Sequence, residues 1–158
     1  GDYGLSDLRR DCNIPVTGAG EGSIKIALES GKTFSIITIW PPSMRFIYDE
    51  VLSNCGAIEK CLSIHHLSSD FDLTTLGDSN NFVERMQSCG LTTMESIRKK
   101  CKEALNKDYA ETIILGCTCM NPVANILINE GIPMIEPMTT GYLYLERLIE
   151  QKFERKIG

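Results

Sequence analysis

Four short runs of apolar and β-branched residues alternate with segments of helical periodicity, and this alternation constrains the fold more than any other feature of the sequence. The runs occupy residues 33–40 (TFSIITIW), 61–67 (CLSIHHL), 112–116 (TIILG) and 132–136 (IPMIE). Strands joined by crossover helices lie parallel in one sheet, and the helices pack on its faces. The sequence therefore predicts an α/β fold built on a parallel sheet.

The segments around these runs carry helix signals. Gly31 and Gly56 are placed to end the first two helices, and Thr92 followed by Glu95 matches a capping box at the start of the third. The polar residues 68–81 show no sustained period and are predicted to form a loop. The helices themselves are predicted over residues 23–30, over residues 44–52, from Thr92 or Thr93, and from about Tyr142.

The composition excludes several classes of protein. The 158 residues suffice for one domain or for two small lobes sharing a core, and their net charge of −5 disfavours nucleic acid as a partner. No apolar stretch approaches the ~20 residues that span a bilayer, so no membrane partner is predicted and a cytoplasmic location is expected. The seven cysteines lie on apolar helix faces and at strand ends, which predicts reduced thiols.

The most informative segment is residues 113–122 (IILGCTCMNP), where a buried strand ends and a helix begins. Cys117 follows the strand, and open parallel sheets bind their ligands at the carboxyl ends of their strands. Asn121 and Pro122 fit the N-cap and first turn of the helix. Free amides at this junction can hold a carboxylate or imide oxygen and lower the pKa of the thiol.

A thiolate at this position could remove a proton from a carbon next to a carbonyl, while the amides stabilise the negative charge that develops. The alternative is that Cys117 is a small apolar residue closing a strand. The Gly-Cys-Thr context at a strand-to-helix junction favours the catalytic interpretation.

Racemisation without a cofactor needs a second acid/base on the opposite face of the carbon. A weak internal similarity in the sequence indicates a duplication that could provide this second group. Residues 13–16 (NIPV) resemble residues 131–134 (GIPM). Cys117 lies 15 residues before Ile132, and the equivalent point before Ile14 falls just ahead of Gly1. We therefore expect a second cysteine upstream of Gly1 and an incomplete active site in this chain.

Other candidate sites are weaker. Cys117 and Cys119 could form a metal or redox pair, but they need further ligands, and the neighbours His65 and His66 would point to opposite faces of a strand. Residues 18–21 (GAGE) lack the final small residue of a dinucleotide-binding loop. No metal and no cofactor is predicted. The other cysteines are interpreted as structural: Cys12, Cys55, Cys61, Cys89 and Cys101.

Five segments in order along the chain resemble the aspartate/glutamate/hydantoin racemase superfamily, most closely its hydantoin racemase branch. They are GDYGL (1–5), IPVTGAGE (14–21), FSIIT (34–38), ILGCTCM (114–120) and GIPMI (131–135). The resemblance implies two pseudo-symmetric three-layer αβα lobes with parallel sheets and a cleft between them, to which each lobe contributes one cysteine. Cys117 would be the acid/base of the second lobe.

The resemblance also implies which residues contact the substrate. Thr118 and Cys119 would offer backbone amides, Thr38 would end a strand facing the cleft, and Asp2 and Gly4 would belong to the loop after the first-lobe cysteine. Three features depart from the family pattern: Tyr3, Cys119 and the continuation Trp40-Pro41-Pro42.

The resemblance implies a division into lobes and a reaction. Residues 33–136 would form the complete second lobe, and residues 1–32 with 137–158 would form part of the first. The activity implied is a cofactor-independent racemase acting on a hydantoin, allantoin or amino-acid-type substrate. A related one-cysteine isomerase or decarboxylase and a non-catalytic small-anion-binding protein are the alternatives. A partial lobe would expose apolar surface, which favours association into a homo-oligomer.

Overall fold

The computed structural model describes residues 2–154, and its framework is a four-stranded sheet. β1 (Phe34–Thr38) lies between β2 (Cys61–His66) and β3 (Thr112–Leu115), and β4 (Met134–Ile135) flanks β3 on its other side. All three pairings are parallel. The predicted α/β fold with a parallel sheet is confirmed.

Helices connect and cover these strands. Within residues 2–154, short 3-10 turns lie at Pro42–Met44, Ile58–Lys60 and Thr118–Met120. The α-helices within the described residues are α1 (Leu5–Asp11), α2 (Ala19–Glu29), α3 (Phe46–Cys55), α4 (Asp70–Thr74), α5 (Phe82–Gln87), α6 (Leu91–Asn106), α7 (Asn121–Asn129) and α8 (Pro137–Glu154).

Helices cover both faces of the sheet, which makes three layers. Successive side chains of a strand point to opposite faces. On one face Ile37 and Ile113 pack against α5, α6 and α7. On the other face Phe34 and Ile36 pack against α2 and α3. Every residue of β1 and β3 is therefore buried, and this explains why these strands are almost continuously apolar in sequence.

Some predicted helix boundaries are confirmed, and the capping prediction for α6 is wrong. Gly31, after α2, and Gly56, at the end of α3, adopt the left-handed conformation, with φ of 74° and 68°. The predicted capping box of α6 does not form, because α6 begins at Leu91 after Gly90 and Thr92 already lies inside its first turn.

Carboxylates explain why two helices begin earlier than predicted. α2 begins at Ala19, because Asp2 accepts hydrogen bonds from the amides of its second and third residues. α8 begins at Pro137, because Glu136 accepts hydrogen bonds from two amides of its first turn. A carboxylate at a helix N-terminus satisfies free amides and complements the helix dipole.

The predicted loop over residues 68–81 contains one short helix, α4. Ser69 and Asp72 form a capping box at its start, in which the Asp72 carboxylate accepts from the Ser69 amide at 2.8 Å. The spacing Ser-x-x-Asp was the local signal for this helix.

α2 is held between the sheet and α8. Ile24 and Ala27 are buried against the sheet, and on its other side α2 meets α8 at a glycine contact. A Cβ at Gly22 would lie 2.9 Å from the Cα of Gly141, so the two backbones touch.

The division into lobes stays a prediction. Among the helices of residues 2–154, none combines the length and apolar character needed to cross a membrane.

We expect Gly22→Ala to destabilise the protein by about 1–3 kcal/mol, because the added methyl group would separate α2 from α8. This loss outweighs the gain of about 1 kcal/mol that alanine brings inside a helix. Gly77→Ala is the matched control, because a Cβ at Gly77 meets nothing within 4 Å. Urea unfolding of both variants measures the difference, and equal free energies of unfolding would contradict the glycine contact.

Candidate active site

The candidate site lies where β1 and β3 end side by side. Ile37 pairs with Leu115 in the register of the two strands, and the Gly116 amide donates to the Ile37 carbonyl at 2.8 Å. Thr38 is the last residue of β1, and Cys117 follows Gly116 in an extended conformation. Cys117 therefore lies at the carboxyl edge of the sheet, as the sequence predicts.

The chain turns sharply after Cys117. The Met120 amide donates to the Cys117 carbonyl at 3.1 Å, which closes the 3-10 turn Thr118–Met120. Pro122 lies in the first turn of α7, as predicted. Asn121 is not the N-cap, because the preceding turn runs directly into the helix and Asn121 is its first residue.

A directed chain of hydrogen bonds fixes the two strand ends to α3. The Trp40 amide donates to Thr38 Oγ1 at 3.1 Å, and the Tyr48 hydroxyl donates to the Gly116 carbonyl at 2.8 Å. The hydroxyls of Thr38 and Tyr48 are 2.5 Å apart, and since Tyr48 gives its proton to Gly116, Thr38 donates to Tyr48. Burial raises the pKa of Tyr48 and keeps it a neutral donor.

This packing explains the glycine before the cysteine. A Cβ at Gly116 would lie 2.8 Å from the Thr38 Cβ and 3.0 Å from the Tyr48 hydroxyl oxygen. A side chain at this position would displace the hydrogen-bonded pair. The strand ends can approach each other closely only with glycine here.

Cys117 is half-buried and carries a strongly perturbed thiol. The adjacent Cys119 is the main influence that lowers the pKa of Cys117, to about 6, although burial of the thiol opposes this shift. The proximity of Cys117, with desolvation, raises the pKa of Cys119. The two thiols are therefore coupled, and ionisation of one disfavours ionisation of the other.

A cavity of about 230 Å³ lies in front of Cys117. The strand end and α3 form one side of it, with Tyr48 and Trp40 on the wall. The N-terminus of α2 and the start of α8 form the other side, with Asp2 and Pro137 on the wall. This mixture of apolar surface and a few polar groups suits a small molecule.

The structure brings three of the predicted site residues together on the cavity wall: Cys117, Thr118 and Asp2. Thr38 is fully buried behind the wall, and its hydroxyl is engaged with Tyr48. Cys119, whose amide was expected to face the substrate, does not line the cavity. Gly4 lines a neighbouring cavity of about 300 Å³ that shares Asp2 with the first.

The glycine-rich residues 18–21 accommodate a carboxylate. Asp2 accepts from the Gly20 amide at 3.1 Å and from the Glu21 amide at 2.6 Å. A Cβ at Gly18 would lie 2.1 Å from the Asp2 carboxyl carbon, so only glycine leaves room for this contact. The sequence of residues 18–21 disfavoured a nucleotide-binding loop, as noted above. It did not predict the contact with the Asp2 carboxylate, because Asp2 is distant from this motif in sequence.

Neither histidine lines the cavity, and each makes a separate contact. His65 Nε2 is 2.7 Å from an Asp108 carboxylate oxygen, and His66 Nδ1 donates to the Trp40 carbonyl at 2.8 Å. All seven cysteines have free thiols. Within residues 2–154, no group of three or more His, Cys, Asp or Glu side chains is arranged to hold a metal ion.

Comparisons with known proteins agree on one family. The family model described as Asp/Glu/Hydantoin racemase matches residues 1–143. The hydantoin racemase of Paenarthrobacter aurescens is 30% identical over 150 residues, which are 94% of this chain and 58% of that protein. The hydantoin racemase of Pseudomonas sp. (strain NS671) is 28% identical over 151 residues, or 95% and 55%. The chain thus spans about half the length of the curated relatives it matches.

Two solved structures are similar in fold. The allantoin racemase from Klebsiella pneumoniae has a TM-score of 0.66 at 25% identity, covering 87% of this chain and 51% of that one. The allantoin racemase from Pseudomonas fluorescens has a TM-score of 0.76 at 23% identity, covering 96% and 61%. With a family match over nearly the whole sequence and the same fold, the chain belongs to the Asp/Glu/Hydantoin racemase family.

Proposed function

We propose that this chain supplies one acid/base group of a cofactor-independent racemase, and that Cys117 is this group. One observation carries the proposal: Cys117 lies at the end of a parallel strand and faces the cavity. The adjacent Cys119 lowers the pKa of Cys117, which supports the same role. A base is most effective when its pKa lies near the working pH.

The proposed step moves a proton from a carbon next to a carbonyl. The C–H bond breaks, an S–H bond forms on Cys117, and the electron pair passes to the carbonyl oxygen of the substrate. Because the substrate carbonyl accepts the electron pair, the proposed reaction needs no cofactor to do so. Thr118, the next residue on the wall, is proposed to contact the substrate.

The proposed substrate is a small cyclic or amino-acid-type compound with an acidic C–H group, such as a hydantoin or allantoin. A cavity of about 230 Å³ suits a molecule of this size. The relatives named above are hydantoin and allantoin racemases, which supports this class of substrate.

Inversion needs a second acid/base on the opposite face of the carbon, because a single group returns the proton to the side it came from. Cys117 is the only cysteine among residues 2–154 that lines the cavity. We propose that a second cysteine, contributed by a first lobe, completes the site in the whole protein. Residues 1–32 and 137–158 would belong to that lobe, and residues 33–136 to the lobe of Cys117.

The first prediction concerns the thiol itself. At pH 7 iodoacetamide should alkylate Cys117 before any other cysteine, and the rate should fall as the pH drops below about 6, where the thiolate becomes protonated. Burial raises the pKa of Cys101 to about 12 and that of Cys55 to about 11, so both should react slowly. Peptide mapping by mass spectrometry checks this order, and preferential labelling of Cys55 would contradict it.

The second prediction concerns proton abstraction. In D2O the protein should incorporate deuterium at the acidic carbon of a 5-substituted hydantoin faster than a blank without protein. Cys117→Ser should reduce the exchange by about 10²–10⁴-fold, because it removes the base. Cys12→Ala is the matched control and should keep the full rate, since Cys12 lies at the end of α1 and does not line the cavity. NMR measures the exchange. If the protein exchanges no faster than the blank, the small-anion-binding alternative is favoured.

The third prediction separates one-base from two-base chemistry. With Cys117 alone at the cavity, these 158 residues should exchange the proton of one enantiomer without inverting it. Chiral chromatography of the same NMR samples measures inversion. Full racemisation by this chain as a monomer would contradict the two-cysteine mechanism and favour a one-cysteine enzyme.

A further inference from the structure

The Gly116 carbonyl accepts a hydrogen bond from a side chain, just beyond the point where the paired strand ends. β3 ends at Leu115, and the Gly116 amide still donates to the Ile37 carbonyl of β1 at 2.8 Å. The Gly116 carbonyl accepts from the Tyr48 hydroxyl, also at 2.8 Å. A hydroxyl from α3 therefore anchors the chain immediately before Cys117.

This hydrogen bond controls the direction in which the next residue leaves the sheet. The Gly116 carbonyl and the Cys117 amide belong to one planar peptide group, so anchoring the oxygen fixes the plane that carries the Cys117 Cα. Glycine has no Cβ to restrict its backbone dihedrals, so this peptide could rotate if it were not anchored. The orientation of the Cys117 thiol therefore depends on a hydroxyl that lies 68 residues away in sequence.

Tyr48 is itself held in place by contacts on its ring and on its hydroxyl. The hydroxyl lies 2.5 Å from Thr38 Oγ1, which donates to it because the Tyr48 proton goes to Gly116. Thr38 is fully buried and accepts in turn from the Trp40 amide at 3.1 Å. The Tyr48 ring packs in the core between α3 and the sheet and also lines the cavity. These contacts fix the hydroxyl opposite the Gly116 carbonyl.

We infer that Tyr48, supported by Thr38, is a positioning residue that holds the Gly116–Cys117 peptide so that the Cys117 thiol faces the cavity. The inference rests on the proposed role of Cys117 as a base and adds what orients that base. Proton transfer needs close alignment, and a displacement of about 1 Å can lower a rate about 10²-fold. Tyr48 acts through the backbone, because its proton is engaged by the Gly116 carbonyl.

The test is deuterium exchange at the acidic carbon of a 5-substituted hydantoin, measured by NMR over a range of hydantoin concentrations. Tyr48→Phe keeps the ring on the cavity wall but removes the hydroxyl. It should lower the saturated rate about 10–100-fold and change the half-saturating concentration by less than about twofold. Thr38→Val removes the supporting hydroxyl and should lower the saturated rate by a smaller factor. Thr38→Ser keeps that hydroxyl and should retain most of the wild-type rate.

Leu52→Val is the matched control for a loss of packing. Leu52 is buried in the same core cluster as Tyr48, one turn further along α3, and it does not line the cavity. The variant should be less stable but should keep the wild-type exchange rate, and circular dichroism confirms that each variant is folded. A full rate in folded Tyr48→Phe, or an equal loss in Leu52→Val, would overturn the inference.

A second measurement without substrate separates this inference from the proposed function. In Tyr48→Phe, hydrogen exchange of the Gly116 amide should become about tenfold faster relative to the Ile114 amide in the middle of β3, because the strand end loses its anchor. Leu52→Val should leave this ratio unchanged. An unchanged ratio in folded Tyr48→Phe would overturn the inference alone. A wild-type chain that exchanges no hydantoin proton would overturn the proposed function, whereas the amide ratio would still show whether Tyr48 anchors the peptide.

Discussion

The site depends on the hydrogen-bond chain that runs from the Trp40 amide through Thr38 and Tyr48 to the Gly116 carbonyl. Its two hydroxyls are buried and its directions are fixed, since Trp40 can only donate and the carbonyl can only accept. Leaving one such buried group unpaired costs about 1–3 kcal/mol. The chain joins two strands and a helix at one point, so Cys117 emerges from the sheet in a single orientation with the Trp40 ring beside it.

Much of the fold was predictable because both faces of the sheet are covered. Doubly buried strands are continuous apolar runs, and Gly31 and Gly56 end their helices by a conformation that glycine adopts easily. The errors lie at helix starts. α2 is capped by Asp2, which is distant in sequence. In α6 the Met94 amide already donates to the Gly90 carbonyl, so the helix begins at Leu91 and Thr92 lies inside its first turn.

The position of the candidate site was predictable where its signal is local. Gly116 and Cys117 at a strand-to-helix junction were sufficient to indicate the thiol. Tyr48 falls within the helix predicted over residues 44–52, but its pairing with the strand ends was not predictable, because that pairing depends on how α3 packs. The sequence alone does not show in which direction the side chains of a turn point.

The glycine contact between α2 and α8 has a consequence for the order of folding. Gly22 and Gly141 lie near opposite ends of the chain, whereas the strands and their crossover helices are joined by much shorter segments. Closing the longest loop carries the largest entropic cost, so docking of α8 on α2 should be among the last events in folding. Since Asp2 and Pro137 form one wall of the cavity, the sheet can be complete while Cys117 still faces open water.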